Sequence, residues 1–69
     1  MSMSNDIVTM KFREVRRILK NDGWFKVSKE GSHEQYRHSS KPGKVTVAGK
    51  DGADVPTGTL KNIFRQAGL

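Results

Sequence analysis

Acid–base chemistry in this chain centres on one short segment, EGSHEQYRH, which spans residues 30–38. The segment contains both histidines of the sequence, and the first of them directly follows a Gly-Ser pair. An imidazole exchanges protons near neutral pH and also binds metals, so His33 and His38 are candidates for catalysis or for metal ligation. A histidine in an exposed turn is nevertheless most often plain polar surface. The rest of the sequence has to decide between these three interpretations.

Metal and cofactor sites find little support. The chain has no cysteine, and a strand would point two histidines five residues apart to opposite faces. The segment AGKDGADV, residues 48–55, has too few ligands for a calcium loop and no closing glutamate. It also lacks the pattern of a phosphate-binding loop, and no Ser-His-Asp arrangement can be argued. We therefore expect neither a metal nor a cofactor.

The charge of the chain favours a polyanionic partner. Thirteen Lys and Arg against seven Asp and Glu give a net charge of +6. A field of that sign attracts nucleic acid, an acidic protein or an anionic membrane surface. No stretch approaches the ~20 apolar residues of a membrane span. Nucleic acid and an acidic protein therefore remain as the partners to weigh.

A single exposed histidine among cations is sufficient for RNA cleavage without a metal. The RNA 2′-hydroxyl is an internal nucleophile beside its own phosphate, so the protein has to bind the backbone, move a proton and offset charge on the phosphorane. Imidazole can transfer the proton, and Lys or Arg can offset the charge. Backbone amides near Gly31 and Ser32 are candidates for binding a phosphate oxygen, since glycine lets the RNA come close.

The length of 69 residues predicts one domain with one small core. We expect residues 1–9 to be a flexible N-terminus, which has no apolar signal-peptide region, and residues 10–69 to form the domain. The absence of cysteine suits a reducing cytoplasm, and cytoplasmic localisation is the expectation.

The first predicted element is a helix over residues 10–22. Its apolar residues Phe12, Val15, Ile18 and Leu19 fall on one face, and Thr9 is the predicted N-cap. Most of its basic residues fall on the opposite face: Arg13, Arg17 and Lys20, with Arg16 near the edge. Gly23 is predicted to end the helix in a left-handed conformation, with Trp24 folding back onto it.

Three strands and a second helix follow. The strands are predicted at residues 24–29, 33–38 and 44–48, joined by a Gly-containing turn and a Pro-Gly turn as an antiparallel meander. After a Gly-rich loop over residues 49–58, a helix over residues 59–69 is capped by Thr57 or Thr59. Its apolar stripe consists of Leu60, Ile63, Phe64 and Ala67.

The predicted fold class is α+β, in the order α-β-β-β-α. Each helix has one apolar stripe, so both helices should pack on one side of the sheet and leave the other open to water. If Tyr36 packs under the helices, then His33, Gln35 and Arg37 lie on the open face, because side chains alternate along a strand. Lys26 or Lys29 would join that surface, although the register of the first strand is ambiguous.

Three segments together resemble the HicA family of bacterial toxins over residues 10–69. They are ILKNDGWFKVSKEGSHEQYRH (18–38), KVTVAG (44–49) and GTLKNIFRQAGL (58–69). The sharpest matches are Gly31-Ser32-His33 with Tyr36 three residues on, and Gly58-Thr59-Leu60 with the closing Gln66-Ala67-Gly68. The resemblance implies a double-stranded-RNA-binding-domain-like fold and a translation-independent mRNA interferase. It also implies inhibition by a HicB-type antitoxin, and the family's catalytic histidine falls on His33.

The chain departs from the family pattern at several positions. Many members carry a proline and a second histidine after the third strand, where this chain has Ala48-Gly49-Lys50, so a two-histidine mechanism does not carry over. Ser28 and Glu30 occupy positions that are often basic, and Glu30 should weaken phosphate binding beside His33. The predicted inward direction of His38 favours a structural role in a turn or in the core.

Three hypotheses follow from these observations. The first is a metal-independent endoribonuclease, the toxin of a type II toxin–antitoxin system, with mRNA and a HicB-type antitoxin as partners and no membrane or small-molecule cofactor. The second is a non-catalytic RNA-binding module of the same fold, and the third is a domain whose charge serves only an acidic protein. His33 is the predicted catalytic acid/base. The predicted RNA-binding residues are Gly31, Ser32, Lys26, Lys29, Gln35, Arg37, Lys44 and Lys50.

Overall fold

The computed structural model describes residues 9–69, so the predicted flexible N-terminus lies outside the described residues except for Thr9. The elements are α1 (Phe12–Asn21), β1 (Trp24–Glu30), β2 (His33–His38), β3 (Val45–Ala48) and α2 (Thr57–Gln66). The strands form one antiparallel sheet in the order β1-β2-β3. The predicted α+β architecture, with the order α-β-β-β-α and one open face of the sheet, is confirmed.

The core lies between the sheet and the two helices. Its buried apolar residues are Phe12, Val15, Leu19, Trp24, Tyr36, Val45, Val47, Val55, Ile63 and Ala67. Leu60 and Phe64 of the predicted α2 stripe are partly buried and pack against this cluster. Tyr36 pairs with Val45 across the strands, so the predicted packing of Tyr36 under the helices is correct.

The predicted N-cap of α1 is wrong. The helix begins at Phe12, its N-cap residue is Lys11, and no side chain caps it. The first amides of the helix bond instead to a distant loop, since Phe12 N donates to the Ala53 carbonyl and Arg13 N to that of Asp51. Backbone groups from another part of the fold therefore satisfy the donors that a local cap would have satisfied.

The start of α2 also differs from the prediction. Neither Thr57 nor Thr59 caps the helix, because it begins at Thr57 with Pro56 as the N-cap residue. The predicted left-handed ending of α1 holds, since Gly23 has φ of 102°, and Gly68 after α2 has φ of 70°. At the end of α2, Gly68 N donates to the Arg65 carbonyl and Leu69 N to that of Phe64, which is a complete Schellman motif.

The pairing of β1 with β2 is interrupted by a bulge. Trp24, Phe25 and Lys26 pair with residues 38 to 36, and the register then shifts between Lys26 and Ser28, which leaves Val27 without a partner. A bulge restarts the alternation of side chains. The bulge thus decides which β1 side chains share a face with the helices.

Among residues 9–69, no helix is long and apolar enough to cross a membrane.

Candidate nucleic-acid interface

His33 is the first residue of β2 and is exposed. It pairs with Glu30 of β1 and Ala48 of β3, and directly opposite residues of antiparallel strands point to the same face. Gln35 and Arg37 follow at two-residue spacing, while Glu34 and Tyr36 between them are buried on the helix side. The predicted placement of His33, Gln35 and Arg37 on the open face is therefore correct.

The turn before His33 requires a glycine. Gly31 has φ of 59°, a left-handed conformation that strains other residues, although an added Cβ would meet no atom within 4 Å. Ser32 is exposed beside it. This two-residue turn brings β1 directly into β2 and places His33 at the edge of the open face.

A cavity of about 570 Å³ lies at the same turn. We call it the turn cavity. Its lining residues are Arg16, Lys26, Lys29, Gly31, Ser32, Glu34, Gly49, Lys50 and Asp51. Five of the eight predicted RNA-binding residues are thus together here, in a concave surface that borders the turn leading into His33.

The predicted RNA-binding residues therefore lie on two surfaces rather than on one. The β1 lysines are on the surface of the turn cavity, whereas His33 is on the open face. Lys26 pairs with Tyr36 and Lys29 with Glu34, so both share the face of the helices rather than that of His33. The expectation that Lys26 or Lys29 joins the open face is wrong. For Lys29 the reason is the bulge at Val27, because it moves Ser28 rather than Lys29 onto the open face. Lys26 precedes the bulge and shares the face of Trp24 by ordinary alternation. The Gly31-Ser32 turn is where the two surfaces meet.

The open face keeps three of the predicted residues in defined contacts or positions. Gln35 accepts a hydrogen bond from the Thr46 hydroxyl at 2.9 Å, and Arg37 donates to the Gly43 carbonyl at 3.0 Å. Lys44 is exposed and directly precedes Val45, the partner of Tyr36, so its backbone lies at the Arg37 end of the sheet.

A buried carboxylate organises the floor of the turn cavity. Glu34 is 7% exposed and accepts hydrogen bonds from Arg16 Nε at 2.8 Å and from the Tyr36 hydroxyl at 2.9 Å. Lys26 Nζ lies 3.6 Å from its other oxygen. Burial alone would raise the pKa of Glu34, but the bonds from Arg16 and Tyr36 and the nearby positive charges outweigh it and lower the pKa.

Arg16 connects three parts of the chain. Besides Glu34 of β2, its guanidinium bonds to the Asp51 carboxylate at 2.7 Å and to the Gly49 carbonyl. Gly49 passes so close to the Phe12 ring that an added Cβ would overlap the ring atoms. The loop that carries Lys50 is therefore fixed against α1. Because Arg16 is already paired with two carboxylates, the side chains of the cavity that remain for an anion are Lys29, Lys50 and, in part, Lys26.

His38 has the structural role that the sequence predicted. Its Nδ1 accepts bonds from the amides of Ser40 and Lys41 at 3.0 and 3.1 Å, so Nε2 carries the proton and donates to the Asp22 carbonyl. Its ring meets that of Trp24 edge-on, with centroids 5.2 Å apart. His38 thus joins the end of α1 to the turn after β2.

The sequence reasoning missed Arg16 and Glu34. The signal for Glu34 was present, since it alternates with Tyr36 along β2 and had to point inward with it. Arg16 was placed only near the edge of the solvated face, and nothing local indicates that a loop 35 residues away supplies its partner Asp51.

Within residues 9–69, no three His, Cys, Asp or Glu side chains are grouped as metal ligands.

The fold and the site define a class of small basic α+β domains with one exposed histidine at the end of an open sheet. A family model described as "HicA toxin of bacterial toxin-antitoxin" matches residues 12–69. The chain therefore belongs to the HicA toxin family, as the resemblance in the sequence implied. A search of curated proteins found no match.

Proposed function

We propose that this toxin is a metal-independent endoribonuclease that cleaves mRNA, with His33 as its acid/base group. The observation that supports the proposal best is the position of His33. It is exposed at the start of β2, immediately after the turn that lines the cationic turn cavity. A strand of RNA can therefore meet cations and an imidazole at one edge of the sheet.

The proposed chemistry is an internal transesterification. His33 removes the proton of a 2′-hydroxyl, the 2′ oxygen bonds to the adjacent phosphorus, and the bond from phosphorus to the 5′ oxygen breaks. The departing 5′ oxygen takes up a proton, so the products are a 2′,3′-cyclic phosphate and a 5′-hydroxyl. Proton transfer of this kind contributes typically ~10²–10⁴-fold to the rate. No step requires a nucleophile other than the RNA itself.

The turn cavity supplies the phosphate contacts in this proposal. Lys29 and Lys50 line it, and among the described residues neither has a carboxylate within ion-pair distance. Lys50 lies in the segment after β3 where many family members carry a second histidine, so this chain has a lysine in that segment instead. Lysine side chains placed near the reacting phosphate can offset the charge that develops on a phosphorane.

The proposed protein partner is a HicB-type antitoxin, and the proposed location is the cytoplasm, where mRNA is found. The support for an antitoxin is membership of a toxin–antitoxin family. The net charge of +6 favours a partner that presents acidic groups. Inhibition would follow from covering His33 or from occupying the turn cavity with carboxylates.

The test is cleavage of a labelled mRNA in EDTA by the wild-type protein and His33→Ala. Lys61→Ala is the matched control, because it removes an exposed cation of α2 that lies outside the proposed site. We expect cutting by the wild type and by Lys61→Ala, none by His33→Ala, and unchanged circular dichroism of all three. The cut ends should carry 2′,3′-cyclic phosphates, and a 2′-O-methyl group at the cut position should abolish cleavage.

Two results would reject the proposal. Equal cutting by the wild type and His33→Ala would point to a contaminant or to another catalytic group. No cutting by any variant, together with RNA binding that falls with salt, would identify a non-catalytic RNA-binding module. Co-purification with the HicB-type protein, and loss of cutting when it is added, tests the partner separately.

A further inference from the structure

Phe25 is a large apolar side chain in an unusual position. It is 51% exposed, although it follows the fully packed Trp24 in β1. It pairs with Arg37 of β2, so by register it shares the open face with His33. It also borders a cavity of about 350 Å³ with Trp24 and Lys26, and it lies on β1, which is an edge strand of the sheet.

The neighbours of Phe25 on the open face are cationic. Arg37 lies directly across from it on β2, and Lys44 precedes the β3 residue that pairs with Tyr36. The guanidinium of Arg37 is held by the Gly43 carbonyl, so its position is defined. The row from Phe25 to Lys44 thus combines an aromatic surface with two positive charges at the end of the sheet opposite to His33.

This combination favours single-stranded nucleic acid over an apolar protein surface. Proteins that bind single strands place bases on exposed aromatic rings and phosphates on adjacent cations. RNA-recognition modules with an open sheet likewise stack bases on aromatic residues of the strands of that sheet. The neighbours of Phe25 on this face are the polar residues Arg37, Gln35 and Thr46, so the ring is not part of a continuous apolar patch of the open face.

We propose that Phe25 is a stacking platform for one base of the single-stranded RNA substrate, with Arg37 and Lys44 holding its phosphates. The proposal rests on the endoribonuclease function proposed above and adds a binding subsite to it. Residues 33 and 37 of β2 are four positions apart, which is about 13 Å along a strand. Stacked nucleotides repeat at ~3.4 Å, and unstacked nucleotides are spaced further apart along the strand. The base on Phe25 is therefore roughly two to four nucleotides from the cleaved bond.

The first test compares RNA binding by Phe25 variants in the inactive His33→Ala background. Phe25→Ala and Phe25→Leu should each weaken the binding of a single-stranded RNA by roughly 5- to 150-fold, and Phe25→Trp should retain it. Val27→Ala is the matched control, because Val27 is an apolar residue of the same strand with 52% exposure. It should change binding by less than about twofold.

The second test locates the stacked base. Single abasic nucleotides are introduced at each position around the cut of a short RNA, and the cleavage rate is measured for the wild type and for Phe25→Ala. One abasic position, roughly two to four nucleotides from the cut, should slow the wild type and have no further effect on Phe25→Ala. Which base stands there should matter little, because stacking is tolerant of sequence.

The outcomes separate the two proposals. If the wild type cleaves through His33 but the abasic scan is flat and Phe25→Ala binds RNA normally, the stacking proposal is wrong and the endoribonuclease stands. If Phe25→Ala loses only its inhibition by the antitoxin, the ring serves a protein interface instead. If the wild type does not cleave but Phe25→Ala binds RNA more weakly, the stacking subsite stands and the catalytic proposal fails.

Discussion

The surroundings of Tyr36 strongly shift the pKa of its hydroxyl. Its hydroxyl is buried under the helices and donates to the carboxylate of Glu34. Burial in the core and the adjacent negative charge both disfavour the phenolate, and they raise the pKa of Tyr36 to about 12. The hydroxyl therefore stays protonated and keeps Glu34 oriented toward Arg16 over the pH range of any cellular reaction.

The raised pKa of Tyr36 can be measured directly, because it is the only tyrosine of the chain. We expect the phenolate absorbance of the folded protein to rise near pH 12, and that of the unfolded protein in denaturant near pH ~10. Because the pKa of Tyr36 is higher in the folded than in the unfolded protein, its protonated hydroxyl stabilises the fold fully below pH ~10. This contribution is lost as the pH rises through about 12. A single transition at pH ~10 in the folded protein would show that the ring is not held in the core.

Glu34 has the opposite linkage. Its pKa is lowered in the fold by Arg16 and Tyr36 despite its burial, so its contribution to stability is present above its unfolded pKa and is lost as the pH falls through the folded value. We expect Glu34→Gln to lower the free energy of unfolding by about 1–3 kcal/mol at neutral pH, since Arg16 loses a charged acceptor. The difference from the wild type should shrink below pH ~4.

Urea unfolding at neutral and acid pH measures this difference. Glu30→Gln is the control, because it removes an exposed carboxylate from the same sheet and should change stability by less than ~0.5 kcal/mol. A difference for Glu34→Gln that stays constant down to acid pH would mean that charge on Glu34 contributes nothing.

At the scale of elements, the loop after β3 is positioned by its packing on α1. Carbonyls of this loop accept hydrogen bonds from the first amides of α1. Lys11 and Asp54 form an isolated antiparallel β-bridge, and Val55 N donates to the Met10 carbonyl. The approach of Gly49 to the Phe12 ring allows Arg16 to reach the Gly49 carbonyl. The position of Lys50, and with it one wall of the turn cavity, depends on this contact.

Gly49→Ala should therefore disturb both stability and the cavity. A methyl group forced against the Phe12 ring should lower the free energy of unfolding by about 1–3 kcal/mol, measured by urea titration. Gly52→Ala in the same loop is the matched control, because its added Cβ meets no atom within 4 Å and its φ is not left-handed. It should change stability by less than ~0.5 kcal/mol. Equal effects of the two substitutions would mean that the contact with Phe12 is not tight.

The elements themselves could be predicted from local pattern, whereas the site could be predicted only in part. Apolar periodicity gave both helices and alternation gave β2 to the residue, so the exposure of His33 and the burial of Tyr36 followed. The face of Lys29 did not follow, because a bulge depends on pairing across strands rather than on the sequence of one strand. The predicted cap of α1 failed because of another long-range contact: loop carbonyls distant in sequence replaced Thr9 at the start of the helix.

For the whole molecule, the decisive question is whether the positive charge acts locally or as a diffuse field. A net charge of +6 attracts any polyanion, and counterion release makes such binding sensitive to salt. The arrangement of cations is uneven, however. Among residues 9–69, Lys11, Arg16, Arg17, Lys26 and Lys41 are paired with carboxylates and the other cations are not. Of the unpaired cations, Lys29 and Lys50 line the turn cavity, whereas Lys61 and Arg65 of α2 lie outside it. Binding should therefore depend on where a charge is removed.

Two double charge reversals distinguish the local from the diffuse effect. Lys29→Glu/Lys50→Glu and Lys61→Glu/Arg65→Glu each remove four units of positive charge, but only the first pair lines the turn cavity. If the cavity holds two phosphates of a single strand, the first variant should bind RNA far more weakly and show a salt dependence shallower by roughly 1.4 in the log–log slope. The second should weaken binding modestly and keep the slope of the wild type, because Lys61 and Arg65 line neither cavity and contribute only to the field. Equal losses in both variants would mean that RNA senses the total charge alone, and the turn cavity would then have no specific part in holding the strand beside His33.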